Sequence, residues 1–157
     1  MRITAKVDYA VRAGLELAAA QSSAVGERAP LKGDTIARAQ EIPVRFLEGI
    51  LGELRRAGIV ASQRGSDGGY WLARPASAVT VADIIRAVEG PLADVHGAPP
   101  EGVTYAGPAR DLQLVWVATR VALRSVLEET SLADIADGAL PPEVAALAEQ
   151  PDGWARR

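Results

Sequence analysis

Pro43 divides two stretches that each read as a helix and prevents them from fusing into one. Proline biases the residue before it away from helical angles, so the short helix "TIARAQ" after Asp34 can hardly pass Glu41. The same proline suits the first turn of "PVRFLEGILGELRRAG", which Gly58 can end in a left-handed cap. Two helices therefore meet across a very short turn. In the second, Phe46, Leu47, Ile50, Leu51 and Leu54 form an apolar face, while Arg45, Glu48, Gly52, Arg55 and Arg56 recur on the other. One face packs, and the other is left for something outside the chain.

A helix from Thr4 to about Gln21 precedes this pair, with Thr4 as its cap and Val7, Ala10, Val11, Leu15 and Ala18 at helical spacing. The polar stretch "SSAVGERAPLKG" links it to the pair. After the pair, "IVASQR" and "YWLAR" read as short strands flanking Gly65-Ser-Asp-Gly-Gly69. A phosphate-cradling loop joins a strand to a helix; here a strand follows, and neither the P-loop nor the G-x-G-x-x-G spacing is met. A hairpin with Arg64 at the base of an exposed tip accounts for the glycines. Thr80 then caps a helix "VADIIRAVEG", which Gly90 and Pro91 stop.

Residues 92–108 have no period and suit an ordered or a flexible connection equally. The stretch 109–129 is the longest helical pattern. Arg110, Gln113, Arg120, Arg124 and Glu128 make one narrow polar stripe, and Leu112, Leu114, Val115, Trp116, Val121, Leu123, Val126 and Leu127 make the rest largely apolar. The remaining chain is too small to cover so wide a surface, so a second copy is the expected cover. Leu112, Val115, Trp116, Leu123, Val126 and Leu127 are the expected dimer contacts. "LADIADGAL" adds a short helix, and the tail from residue 141 is expected to be peripheral.

Composition narrows the chemistry. The 157 residues contain no cysteine, which removes disulfides, thiolate metal sites and a cysteine nucleophile. His96 is the only histidine, and one imidazole without a second soft ligand reads as an ordinary loop residue. With no G-x-S-x-G elbow and no carboxylates at metal-site spacing, no enzyme is expected, and no metal or cofactor. No long uncharged apolar run or signal-peptide core is seen, so a cytoplasmic protein without a membrane partner is expected. The net charge of -3 conceals an asymmetry: residues 1–76 hold 11 Lys/Arg against 8 Asp/Glu, and the rest 6 against 12. The positive part can face a polyanion, though so small a surplus equally fits a solvated surface.

The order helix, helix–turn–helix, hairpin is that of a winged helix, whose second helix enters the major groove of DNA while the hairpin reaches the flanking backbone or minor groove. Arg45, Arg55 and Arg56 can pair with phosphates or guanine edges, and Glu48 can accept from a cytosine amino group. Thr4 and Lys6 at a helix N-terminus can hold a phosphate. Each arginine taken singly is equally explained by a solvated surface.

The segments "LRRAGIV", "RG--GGY-LARP" and "IIRAVEGPL", with the opening "MRIT-K-DYAVRA", together resemble the Rrf-type family of bacterial repressors, which includes IscR-, NsrR- and CymR-like regulators. The likeness runs from Met1 to about Leu92. It implies a mainly α fold with a small β-hairpin: a winged helix-turn-helix over residues 1–91, a connection over 92–108, a dimerisation helix region over 109–140 and a tail over 141–157. It also implies a homodimeric DNA-binding protein with Arg64 in the wing and the Pro43–Glu48 end of the recognition helix reading an operator. Taken with the residue chemistry, the expectation is a repressor that binds a palindromic site on double-stranded DNA through Thr4, Lys6, Pro43, Val44, Arg45, Glu48, Arg55 and Arg56 and through the wing at Arg64, Gly65, Ser66, Gly68 and Gly69. Cluster-binding relatives place three cysteines after "EGPL", where this chain has none, so an iron–sulfur cluster held in that manner is not expected. Asp8, where some relatives supply a carboxylate ligand, reads as a surface charge. The alternative expectation is a sensor whose DNA binding depends on a small molecule or partner protein, with Tyr105 and Trp116 either lining an effector pocket or packing.

Overall fold

The computed structural model describes residues 2–23 and 30–155. Its architecture is helical, with one two-stranded antiparallel hairpin. Helix α1 (Ala5–Ser23) is capped by Thr4, whose Oγ accepts the Val7 N–H at 3.2 Å. It buries Val7, Ala10, Ala13, Leu17 and Ala18 in the common core. Most of the connection after it, residues 24–29, lies outside the described residues.

The short turn forms as the proline dictates, one residue away from the expected registers. Helix α2 (Gly33–Gln40) starts at Lys32, so Asp34 lies within its first turn instead of capping it. Glu41 closes it in the left-handed region (φ 53°), its N–H and that of Ile42 reaching back to Arg38 and Ala37. Pro43 is the N-cap of helix α3 (Val44–Arg56), not its first residue. Gly58 (φ 71°) ends α3 in a Schellman motif: Ile59 N–H donates to Leu54 and Gly58 N–H to Arg55. Leu47, Ile50, Leu51 and Leu54 are buried, but Phe46 is not; it stands half exposed and meets Tyr9 edge-on at 5.9 Å. The apolar stripe of α3 is thus one residue narrower than its sequence suggests.

Strands β1 (Val60–Gln63) and β2 (Gly69–Leu72) pair with Val60 opposite Leu72 and Gln63 opposite Gly69. The linker supplies an unforeseen rung on the other edge of β2, because Leu31 and Tyr70 exchange both backbone hydrogen bonds at 2.8 and 2.9 Å. The hairpin is therefore fastened to the start of α2. Helix α4 (Val81–Glu89) opens with the capping box of Thr80 and Asp83 and places Ala82, Ile84, Ile85 and Val88 against the core.

Residues 92–108 form an ordered connection with two short 3₁₀ turns and a tight turn at His96 and Gly97, both at positive φ. Helix α5 (Leu112–Leu127) follows, shorter at both ends than the pattern. The chain then returns to the first half of the molecule. Helix α6 (Leu132–Ala136) has a Ser131–Asp134 capping box, and the Ser131 hydroxyl, then its N–H, holds the Asp134 carboxyl below the usual carboxylate range. Leu132 is fully buried and would lie 3.1 Å from a methyl group on Gly14 of α1, so it belongs to the core of the N-terminal half although it follows the long helix. The tail carries two helices unforeseen in the sequence, α7 (Pro142–Ala148) and α8 (Pro151–Trp154), with Leu147 and Trp154 exposed.

Candidate nucleic-acid interface

The solvent face of α3 contains Arg45, Glu48, Gly49, Gly52 and Arg56, opposite its buried stripe. Arg45 and Arg56 make no hydrogen bond or ion pair with another described residue. They stand eleven residues apart, about 16 Å along the helix axis, a span over which one helix can follow a DNA groove. Arg55 is differently placed. Its guanidinium donates to Ser62 Oγ at 3.2 Å and ties the end of α3 to β1.

Between these arginines the face carries two glycines beside Glu48. A methyl group at Gly49 would meet nothing within 4 Å, and one at Gly52 only the tip of Arg56 at 3.7 Å. Packing requires neither glycine, yet each weakens a helix by about 1 kcal/mol relative to alanine. Gly49→Ala is therefore expected to raise the unfolding free energy by about 1 kcal/mol in urea denaturation.

The wing is built by backbone proximity. A methyl group on Gly68 would lie 2.1 Å from the Gln63 carbonyl oxygen, and one on Gly69 2.6 Å from that of Leu31. Gly65 has φ 107° at the start of the turn. These constraints leave Arg64, Gly65, Ser66 and Asp67 exposed, with Arg64 unpaired among the described residues. Lys32, absent from the expected site, donates from Nζ to the Gly65 carbonyl at 2.8 Å and steadies the loop. Nothing in its sequence context marks it, because the anchor depends on the Leu31–Tyr70 rung. The start of α2, the first half of α3 and Tyr70 line a groove of about 220 Å³, with Val44 and Glu48 among its walls.

Thr4 and Lys6 are occupied within the molecule. Lys6 Nζ lies 2.8 Å from a Glu53 carboxylate oxygen and donates to the Val88 carbonyl at 2.7 Å, while the Thr4 hydroxyl donates to Glu89. Lys6 ties α1 to α3 and α4, and Thr4 ties the start of α1 to the end of α4. Asp8 pairs with Arg12 on the surface at 3.0 Å, and Trp116 donates to the Tyr105 hydroxyl at 3.1 Å.

On α5 the polar stripe is engaged by the protein's own chain, with Arg124 still exposed. Arg120 pairs with Glu101 at 2.5 Å, Gln113 donates to the Glu101 carbonyl, and Glu128 receives Arg86 and Arg124. Leu112, Leu123, Val126 and Leu127 are half-buried, and Leu127 packs on the core. Leu114, Val115, Trp116, Ala118, Val121, Ala122 and Ser125 are exposed. Of the expected dimer contacts, Val115 and Trp116 are the most exposed, Leu112, Leu123 and Val126 are half-buried, and Leu127 is the one packed against the core.

A helix pair across a tight turn, a second helix with an unpaired basic face, and a glycine-shaped wing define a winged helix-turn-helix DNA-binding protein, the architecture of transcriptional regulators. The chain belongs to the Rrf2 family, described as iron-dependent transcriptional regulators, whose model matches residues 3–138. It is 34% identical to the HTH-type transcriptional regulator CymR of Bacillus subtilis (87% of this chain, 90% of the relative), and 35% identical to IscR of Cereibacter sphaeroides (90% and 91%). A Mycobacterium tuberculosis protein given an HTH-type regulator name, Rv1287, is 49% identical over 95% of this chain and 89% of its own length. Among solved structures, B. subtilis CymR superposes with a TM-score of 0.71 at 33% identity, covering 88% of this chain and 98% of that one. T. potens IscR superposes with 0.69 at 28% identity, covering 99% and 97%. These relatives are regulators, not enzymes.

Proposed function

We propose that the chain is a repressor that binds a two-fold symmetric operator as a homodimer, with the start of α3 in the major groove and the wing against the flanking backbone or minor groove. The unpaired state of Arg45, Arg56 and Arg64 on the α3 face and wing supports this reading, because cations left without internal partners can meet phosphates or base edges. Pro43 and Val44 set the entry of α3, and Glu48 is the one carboxylate on its outward face able to discriminate bases. Arg55, Lys32, Thr4 and Lys6 hold these elements in register. Two copies joined through the outward stripe of α5 would present two such surfaces, as a palindromic site demands.

Arg64→Ala should weaken operator binding by about 1–3 kcal/mol with an unchanged circular dichroism spectrum. A phosphate contact would also lower the salt slope of log K by about one unit. Fluorescence anisotropy across a salt series measures both, and wild-type affinity at every salt concentration would remove the wing from the interface.

The donor set does not fit the iron of the family description. Cysteine is absent from the chain, His96 is exposed on its turn, and among the described residues no three His, Cys, Asp or Glu side chains converge as metal ligands. Anaerobic reconstitution with iron and sulfide is expected to leave a colourless protein without stoichiometric iron, and a stable brown product of defined stoichiometry would overturn this.

A further inference from the structure

We propose that the pocket between the 92–99 turn, α4 and α5 is an effector site for a small oxyanion of the carboxylate or phosphate class. Arg86, Arg120 and Arg124 line it, with Asp94, Leu92 and Pro99 among the other walls. Its volume is about 140 Å³, which suits a small oxyanion. Arg120 is the key group. Its side chain is only 16% exposed, one terminal nitrogen is paired with Glu101, and its buried Nε–H has no partner among the described residues. An unsatisfied buried donor on a cation is costly, and it leaves the Arg120 guanidinium, which lines the pocket, short of partners that an oxyanion on its accessible side can supply.

The other two guanidiniums are poised rather than consumed. Arg86 and Arg124 each spend one nitrogen on the shared Glu128 carboxylate, which fixes their position and leaves donors free. Glu101, Glu128 and Asp94 balance the three positive charges, and Asp94 already accepts the Gly97 N–H. Selection therefore rests on donor geometry more than on net charge, which favours a compact ligand that forks between guanidiniums. Arg86 stands on α4 of the winged half, and Arg120 and Arg124 stand on α5. A ligand held between them would set the angle of the DNA-binding half against the helix assigned to dimerisation, so this inference rests on the homodimeric reading above.

The probes are inorganic phosphate and pyruvate, titrated into the full chain at constant ionic strength with chloride as balance, followed by calorimetry. Saturable binding is expected in wild type and in Arg45→Ala. It should weaken at least about tenfold in Arg124→Gln and in Arg120→Gln and recover in part in Arg120→Lys. Circular dichroism checks each variant, and Arg124 is exposed enough for its replacement to leave the fold intact. Operator affinity should shift at least about threefold on saturation in wild type and stay fixed in Arg120→Gln. No saturable binding of either probe, or binding abolished by Arg45→Ala and kept in Arg120→Gln, overturns the site. Operator binding that ignores a bound anion overturns its effector role. Failure of the dimer reading shows separately, as operator binding by a monomer without either probe.

Discussion

Val121→Glu should convert the protein into a folded monomer that loses about two to four orders of magnitude in affinity for a two-half-site operator, the avidity typically gained by linking two binding modules. Val121 is 58% exposed on α5, on the stripe with Leu114, Ala118, Ala122 and Ser125. That stripe carries no charge, and its small residues allow two helix backbones to approach closely. Placing Val121 near a two-fold axis means that each copy would bring a carboxylate against its mate in a desolvated seam, where like charges repel strongly. Binding to a single half-site should remain as in wild type, since the α3 face and the wing are untouched. Leu127→Glu is the contrasting variant: Leu127 packs on its own core, so a charge there should lower the stability of the subunit itself. Sedimentation with half-site and full-site anisotropy separates the two effects. A Val121→Glu protein that stays dimeric at micromolar concentration would place the interface elsewhere.

The need for cover on α5 was legible in the sequence, but the direction of its faces was not. A wheel of Ala109–Glu129 shows a narrow polar stripe, and the usual reading turns such a stripe to water. Here Gln113, Arg120 and Glu128 turn inward because the connection before the helix supplies Glu101 and α4 supplies Arg86, partners that a helical wheel cannot show, while Arg110 and Arg124 stay exposed. The short turn at Pro43, the stop at Gly58, the cap at Thr80 and the hairpin were readable because single residues with strong backbone preferences enforce them. What escaped depends on long-range pairing. The Leu31–Tyr70 rung, the Lys32–Gly65 anchor, the burial of Leu132 and the internal use of Lys6 and Thr4 all join segments far apart in the chain. Phe46 escaped for a subtler reason, since it lies at the edge of the stripe and leans on Tyr9 from outside.

Gly68→Ala should damage the wing more than any substitution of the side chains it presents. The sequence suggested that its glycines serve positive-φ turn positions, and Gly65 is one such position at φ 107°. Gly68 answers to a different constraint: an added methyl group would sit 2.1 Å from the Gln63 oxygen and 2.7 Å from the Arg64 carbonyl carbon. Both neighbours are backbone, so no side chain can swing aside, and the end of β1 must move. Displacing it disturbs the Gln63–Gly69 pair, and through Gly69 the closely packed Leu31 that fastens the hairpin to α2. The expected cost is about 3 kcal/mol of stability, at the upper end for overpacking because the clash is rigid. Loss of the Lys32–Gly65 bond should add a drop in operator affinity of at least about tenfold, since Arg64 would no longer be held in one place. Urea unfolding measures the first effect and anisotropy with labelled operator the second. Ser66→Ala, on the open side of the same loop, should change stability by less than about 0.5 kcal/mol. If Gly68→Ala unfolds at the wild-type midpoint and binds with wild-type affinity, the hairpin tolerates a second course of its backbone, and the rigid wing invoked for Arg64 is not how this protein grips its operator.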